Sequence, residues 1–189
     1  MVPPPAAGRL LVASAVLTDP NFSRTVVLLL DHGTDGTLGL VLNRPTELTV
    51  ARALPAWSSV AADPRLIFRG GPVATDAALA LGVAAVPVEA GGSALGWRSV
   101  VGRIGLVDLD AVPESMDPAL SGLRVFVGHA GWAPGQLDCE LAAGAWLVVD
   151  SMPDDVFSTE PERLWSDVLR RLPGEAAFLS TRPDDPNLN

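Results

Sequence analysis

Hydrophobic residues along this chain fall mostly in short runs broken by glycine, proline and polar clusters, a spacing that predicts strands before helices. Leu10–Ser14, Arg24–Asp31 and Thr37–Leu42 read as strands, the last two joined into a hairpin by the turn residues His32 to Gly36. Further strands are expected at Leu66–Arg69, Ala77–Val83, Ile104–Asp108, Leu123–Gly128 and Ala145–Val149, and helices at about Thr49–Leu54 and Gly135–Ala143. The clearest helix lies near the end of the chain. There Thr159 and Glu162 have the spacing of a capping box around Pro161, and Leu164, Trp165, Val168, Leu169 and Leu172 repeat as one apolar stripe. Arg163 with Asp167, and Asp167 with Arg171, stand four apart and are expected to pair on its outer surface. Strands that come in hairpin runs with few helices between them specify an α+β fold with a largely antiparallel sheet, not a strand–helix alternation.

At 189 residues, 48% of them apolar, the chain fits one domain with a sizeable core. Residues 1–8 read as a Pro/Ala lead-in, 9–180 as a single domain and 181–189 as a polar tail, both ends expected to be mobile. The longest apolar stretch, Ala77 to Val88, is interrupted by Gly82 and Pro87 and is too short for a bilayer span, so no membrane partner is expected. A lone cysteine, Cys139, excludes an internal disulfide and fits a reducing compartment; the expected location is the cytoplasm.

Charge narrows the partners. The net charge of −9 opposes direct nucleic-acid binding, because clustered basic residues supply most of that affinity. Its distribution adds detail: residues 1–70 carry six Arg against five acids, whereas 71–149 and 150–189 each sum to −5. A small anion can therefore find a local positive site in the first third. Every cation is Arg and none is Lys, which removes Schiff-base chemistry.

Two glycine-framed blocks hold both histidines and most of the candidate chemistry. The first runs from His32 to Pro45 and ends in Asn43-Arg44-Pro45, where Pro45 closes the pairing ladder and presents an amide and a guanidinium on a rigid exit. That is a clamp for a carboxylate or phosphate; equally, Asn43 can close a turn and Arg44 pair with a surface acid. Gly70-Gly71-Pro72 can expose backbone N–H groups to an anion or serve only as a turn. The second block runs from Gly128 to Glu140. There Trp132 sits in a Gly/Pro-bracketed loop, as pocket lid or core plug, and Gln136 and Glu140 lie one turn apart on a helix face away from Leu137. Asp138 falls at the third helical position if Gly135 caps the helix, where an acid complements the dipole. No phosphate-loop, dinucleotide, nucleophile-elbow or zinc spacing occurs, so no catalytic residue, metal or cofactor is assigned.

Taken together, several ordered blocks resemble the YqgE/AlgH family of bacterial cytoplasmic proteins from about Gly8 to Leu172. They are Gly8-x-Leu10-Leu11-Val12-Ala13-Ser14, Asp19-Pro20-x-Phe22-x-Arg24-Thr25-Val26-Val27, Gly36-x-x-Gly39-Leu40-Val41-Leu42-Asn43-Arg44-Pro45 after His32, and Gly70-Gly71-Pro72-Val73. Gly131-Trp132-x-x-Gly135-Gln136-Leu137-x-x-Glu140 and Leu164-Trp165-x-x-Val168-Leu169 complete the match. The resemblance implies a bifurcated sheet folded toward a pseudo-barrel and flanked by helices, with no assigned biochemical activity. One branch of the family is labelled a transcriptional regulator of alginate production. Two positions depart from the pattern: His129 stands where Tyr is expected and Asp138 where Glu is usual.

The resulting expectation is a small-ligand-binding or regulatory protein. His32, Asn43, Arg44, Gly70 and Gly71 would contact a small anionic ligand, with Trp132, Gln136 and Glu140 at the rim. The alternatives are a hydrolase-like enzyme with His32 as base, and a regulator binding DNA directly, which the charge disfavours. A protein partner is a further expectation if no ligand binds. All of these readings require the two blocks to converge in space.

Overall fold

The computed structural model describes residues 3–88, 93–116 and 118–173. The expected tail at 181–189 lies outside them. Strands β1 (Arg9–Ala13), β2 (Val26–Gly33), β3 (Gly36–Val41), β4 (Pro45–Thr49), β5 (Leu66–Arg69) and β6 (Val73–Ala84) come first. They are followed by β7 (Ser93–Ala94), β8 (Trp97–Val101), β9 (Ile104–Val107), β10 (Leu120–Trp132) and β11 (Trp146–Asp150). The helices are α1 (Val50–Ala53), α2 (Gln136–Ala142), α3 (Pro153–Val156) and α4 (Leu164–Arg170).

One curled sheet runs in the order β11-β1-β2-β3-β10-β6-β9-β8-β7, with β4 and β5 branching from it. The branch is at β10. Its Ala130–Trp132 segment pairs β3, its Val125–Val127 segment pairs β5 in parallel, and β6 runs along the other edge. Every other strand pair is antiparallel. This is the largely antiparallel α+β fold that the strand spacing specifies, with the bifurcated half-barrel sheet that the family resemblance implies and a single parallel strand pair inside it. No helix among the described residues is long and apolar enough to cross a membrane.

Both faces of β1, β2 and β3 are covered, which is why their sequences are nearly unbroken apolar runs. On the inner face Leu10, Val12, Leu28 and Leu40 join Phe68, Leu81 and Phe126, and α4 lays Leu164, Trp165, Val168 and Leu169 on them. On the outer face Leu11, Val27, Leu29 and Val41 pack with Trp132, Trp146 and Leu137 of α2. A second body of core, around Trp57, Ile67, Trp97, Leu123 and Val125, fills the branch. At the start of the chain Gly8 donates its N–H to Leu29 O at 2.8 Å and is buried, and Ser151 Oγ donates to Gly8 O at 2.6 Å.

Local expectations fare unevenly near the end of the chain. The apolar stripe of α4 is buried, but Thr159 and Glu162 form no capping box. A 3-10 turn over Pro161–Arg163 starts the helix instead, and Arg163 pairs with Glu160 at 3.1 Å. Asp167 pairs with Arg170 at 2.5 Å, and Arg171 reaches the buried Asp155 of α3 at 2.9 Å. A tertiary acid thus replaces the i,i+4 partner, because burial makes that carboxylate a stronger acceptor than one in water.

Candidate functional site

Gly70 and Gly71 sit in the crotch of the branch, where three backbones meet. Gly70 N–H donates to Val127 O and its carbonyl accepts from Val41 N–H, both at 2.8 Å. A Cβ on Gly70 would lie 2.3 Å from Gly128 O, and one on Gly71 2.2 Å from the backbone carbon and oxygen of His129. Close approach therefore explains the pair. The Gly70 N–H that could have faced an anion is spent inside the sheet.

Asn43 is 4% exposed, and its amide stitches β2 to the end of β3: Oδ1 accepts from Val26 N–H at 3.0 Å and Nδ2 donates to Arg24 O at 2.9 Å. Arg44 follows it, half-buried, with Nη2 donating to Ser23 O. Because Pro45 opposes Phe68 in the β4–β5 pair, Arg44 falls opposite Arg69, whose N–H donates to Arg44 O at 2.8 Å. Burial, and then the Arg69 guanidinium, hold Arg44 below the usual arginine range. Neither arginine has an acidic partner among the described residues.

The second block forms a compact cluster of its own. Gly135, at φ +73°, precedes α2 as its N-cap, placing Asp138 in the first turn as expected. One turn on, Glu140 Oε2 accepts the indole N–H of Trp132 at 2.9 Å and that of Trp146 at 2.7 Å. Oε1 accepts from Gln136 Nε2 at 3.0 Å, while Gln136 Oε1 accepts from Ala133 N–H at 3.0 Å. Both tryptophans are buried, and Phe22 lies against them with ring centroids 6.0 and 5.6 Å away. The three rim residues therefore meet, and they meet on one another. Glu140→Ala would orphan two indole donors and is expected to cost about 2–3 kcal/mol, Glu140→Gln only about 1, because the amide oxygen still accepts. Urea melts followed by tryptophan fluorescence check this; equal losses for the two variants would refute the bridging role.

The two histidines face opposite sides of the sheet. His32 and Thr37 are paired across the hairpin, with His32 Nδ1 2.8 Å from Thr37 Oγ1, and Thr37 in turn opposes Trp132. That places His32 on the outer face. His129, three residues before Trp132, points the other way by strand alternation, and it borders an open groove of about 390 Å³ with Asp31, Asp35, Thr37, Leu38, Val73 and Trp132. Arg44 lies beyond the end of β3, after the bends at Leu42 and Asn43, seven residues from Thr37 in the chain. The two blocks thus touch through β3 and β10 and line one open groove together, with Thr37 and Leu38 from the first and His129 and Trp132 from the second, but the basic pair and the carboxylate–indole cluster remain separate from each other. No group of three or more His, Cys, Asp or Glu among the described residues is placed to hold a metal ion.

Two arginines escape the sequence reading. Arg69 becomes visible only through the β4–β5 register. Arg124 did carry a signal: it sits two residues before Phe126 in an apolar strand, which aims it at the core. It is 1% exposed, donates to Val156 O, Asp63 O and Ser158 O at 3.0, 2.6 and 3.0 Å, and lies 4.4 Å from the Phe68 ring centroid. Burial lowers its guanidinium to about 10, and its Nε has no hydrogen-bond partner.

Comparison with known proteins places this geometry in a family. The chain matches the AlgH-like family over residues 10–177. It is 58% identical to a UPF0301 protein of Streptomyces coelicolor over 96% of this chain and 94% of that relative. A UPF0301 protein of Mycobacterium leprae is 45% identical over 97% and 90% of the two chains. A crystal structure of a Corynebacterium diphtheriae protein superposes with a TM-score of 0.89 at 33% identity, covering 96% of this chain and 95% of that one. The solution structure of the AlgH protein from Pseudomonas aeruginosa matches with a TM-score of 0.66 at 28% identity, covering 98% and 99%.

Proposed function

The chain belongs to the AlgH-like family, and we propose that it uses this fold to bind a small anion between Arg44 and Arg69, as a binding or regulatory protein rather than a catalyst. The observation that carries the reading is the cross-strand arginine pair itself. Like charges directly opposite on adjacent strands destabilise a sheet by roughly 0.2–1 kcal/mol, and here no acid among the described residues relieves them. Arg44 is anchored by Ser23 O, so its guanidinium is held in place before any ligand arrives. An anion bridging both side chains would remove the repulsion and make charge-assisted hydrogen bonds. The net charge of −9 confines such binding to small anions, since an extended phosphate backbone meets repulsion elsewhere.

Pyrophosphate is the probe of choice in a low-salt thermal melt. At about a hundred times its dissociation constant it is expected to add ~2.7 kcal/mol of stability. Arg69→Ala should abolish that response, yet melt no lower than the parent protein in anion-free buffer, because it removes repulsion while the backbone bond from residue 69 to Arg44 O is kept. A pyrophosphate response that survives Arg69→Ala, or no response at all in the parent, would overturn the assignment.

A further inference from the structure

Among the described residues the curled sheet does not close by hydrogen bonds. The β1–β11 end meets the end of β8 through packing: a Cβ on Gly8 would stand 2.6 Å from the Val101 Cβ, and no ladder among the described residues joins these strands. At this seam lies a cavity of about 320 Å³, far from Arg44, walled by Val83, Val101, Ile104 and Pro153. Its lining is almost wholly apolar, and the single cation at its edge is Arg103.

Arg103 is fixed in an unusual way for a surface arginine. Its Nε and Nη2 both donate to Ala84 O, Nε at 2.7 Å, so the guanidinium plane is clamped against the end of β6. The remaining nitrogen, Nη1, has no partner among the described residues, and Arg103 makes no ion pair among them. Of the neighbouring acids, Asp154, next to Pro153, makes no ion pair among the described residues, while Asp150 is paired with Arg9 and Asp155 with Arg171. Ser151 Oγ is likewise spent on Gly8 O. The cavity therefore offers an apolar interior and one pre-oriented pair of N–H donors.

We infer that this seam pocket binds an aliphatic monocarboxylate, its chain among Val83, Val101 and Ile104 and its carboxylate on Arg103. The volume sits at the lower end of small-molecule sites, which run from about 300 to 1,000 Å³, and so admits one short chain rather than a two-chain lipid. A carboxylate suits the exposed N–H donors of a clamped guanidinium, which offers a fork of donors to its two oxygens. An apolar amine or alcohol would bury the same chain but leave Arg103 without a counter-charge.

The test titrates the full-length protein with octanoate, octanol, octylamine and acetate, following amide shifts in ¹H–¹⁵N spectra. Octanoate is expected to bind saturably and to shift Gly102, Arg103 and Ser151, at least tenfold tighter than octanol, with octylamine and acetate weaker still. Arg103→Gln should bring octanoate down to the octanol level, and Val83→Phe, which fills the cavity, should weaken both. The ligand comparison on the unmutated protein stands even if a variant folds poorly. Equal binding of octanoate and octylamine, shifts located elsewhere, or no saturable octanoate binding would each refute the site. This pocket shares no residue with the Arg44–Arg69 pair, so either assignment can fail alone.

Discussion

Gly71→Ala will abolish the native fold, or cost it more than about 4 kcal/mol, the range reserved for a backbone that has nowhere to move. The added methyl would lie 2.2 Å from the His129 carbonyl carbon and oxygen and 2.4 Å from Ala130 N, at a φ of +153° that side chains rarely adopt. These are backbone atoms of the longest strand, so no side chain can swing aside. Nor can the glycine segment retreat, since Gly70 is bonded on both sides, to Val127 and to Val41. Gly33→Ala is the matching control: nothing lies within 4 Å of its Cβ position, and the change should stay within about 0.5 kcal/mol. Circular dichroism and urea melts decide the matter. A Gly71→Ala protein melting within about 1 kcal/mol of its parent would mean that the branch is looser than its geometry implies.

Arg124→Met is expected to cost about 3 kcal/mol, with Arg124→Lys losing somewhat less. Two effects oppose each other. Burial lowers this guanidinium to about 10, so removing the charge recovers roughly 3 kcal/mol of desolvation, a tenfold change in a proton equilibrium being worth ~1.36 kcal/mol. Against that, three backbone carbonyls lose a charged donor, each such bond contributing about 1.5–3 kcal/mol. The loss of stacking on Phe68 and Phe157 adds to the deficit. The bonds outweigh the desolvation because one planar group ties the Asp63 and Val156–Ser158 segments to β10 at once. Lysine keeps the charge but cannot fork to three acceptors. If the methionine variant proves as stable as the parent, desolvation dominates and water satisfies the carbonyls.

What the chain reveals by itself follows from periodicity and turn chemistry. The apolar runs at Leu10–Ser14, Arg24–Asp31 and Leu66–Arg69 mark strands found at Arg9–Ala13, Val26–Gly33 and Leu66–Arg69, and Gly135 starts its helix as expected. The α4 stripe is buried as its spacing requires. Such features need only a residue's near neighbours in sequence. The strand expected at Leu123–Gly128 instead extends from Leu120 to Trp132, because Gly128 does not end it. With φ +69°, that glycine makes the irregularity by which β10 continues past the branch. Local sequence marks a glycine as a break; only a partner on each side turns the break into a fork.

The site is legible in the chain as a set of residues and not as an arrangement. Helical spacing puts Gln136 and Glu140 one turn apart, but Trp132 belongs to β10 and Trp146 to β11, and only the fold brings both indoles to Glu140. Pro45 does not close the pairing but opens β4, and the Asn43 amide is buried and spent on Val26 and Arg24, while Arg69, 25 positions after Arg44 in the chain, enters only through β4–β5 pairing. The opposite facing of His32 and His129 follows from a cross-strand register that no single segment encodes. Sequence alone marked most of the strands and the helix that carries an apolar stripe, but not β4, β7 or β8, whose short segments lack the apolar runs that mark the others. Tertiary structure decided which polar groups are spent on one another and which remain free, because hydrogen bonding and charge depend on distance in space, and a curled sheet brings together residues far apart along the chain.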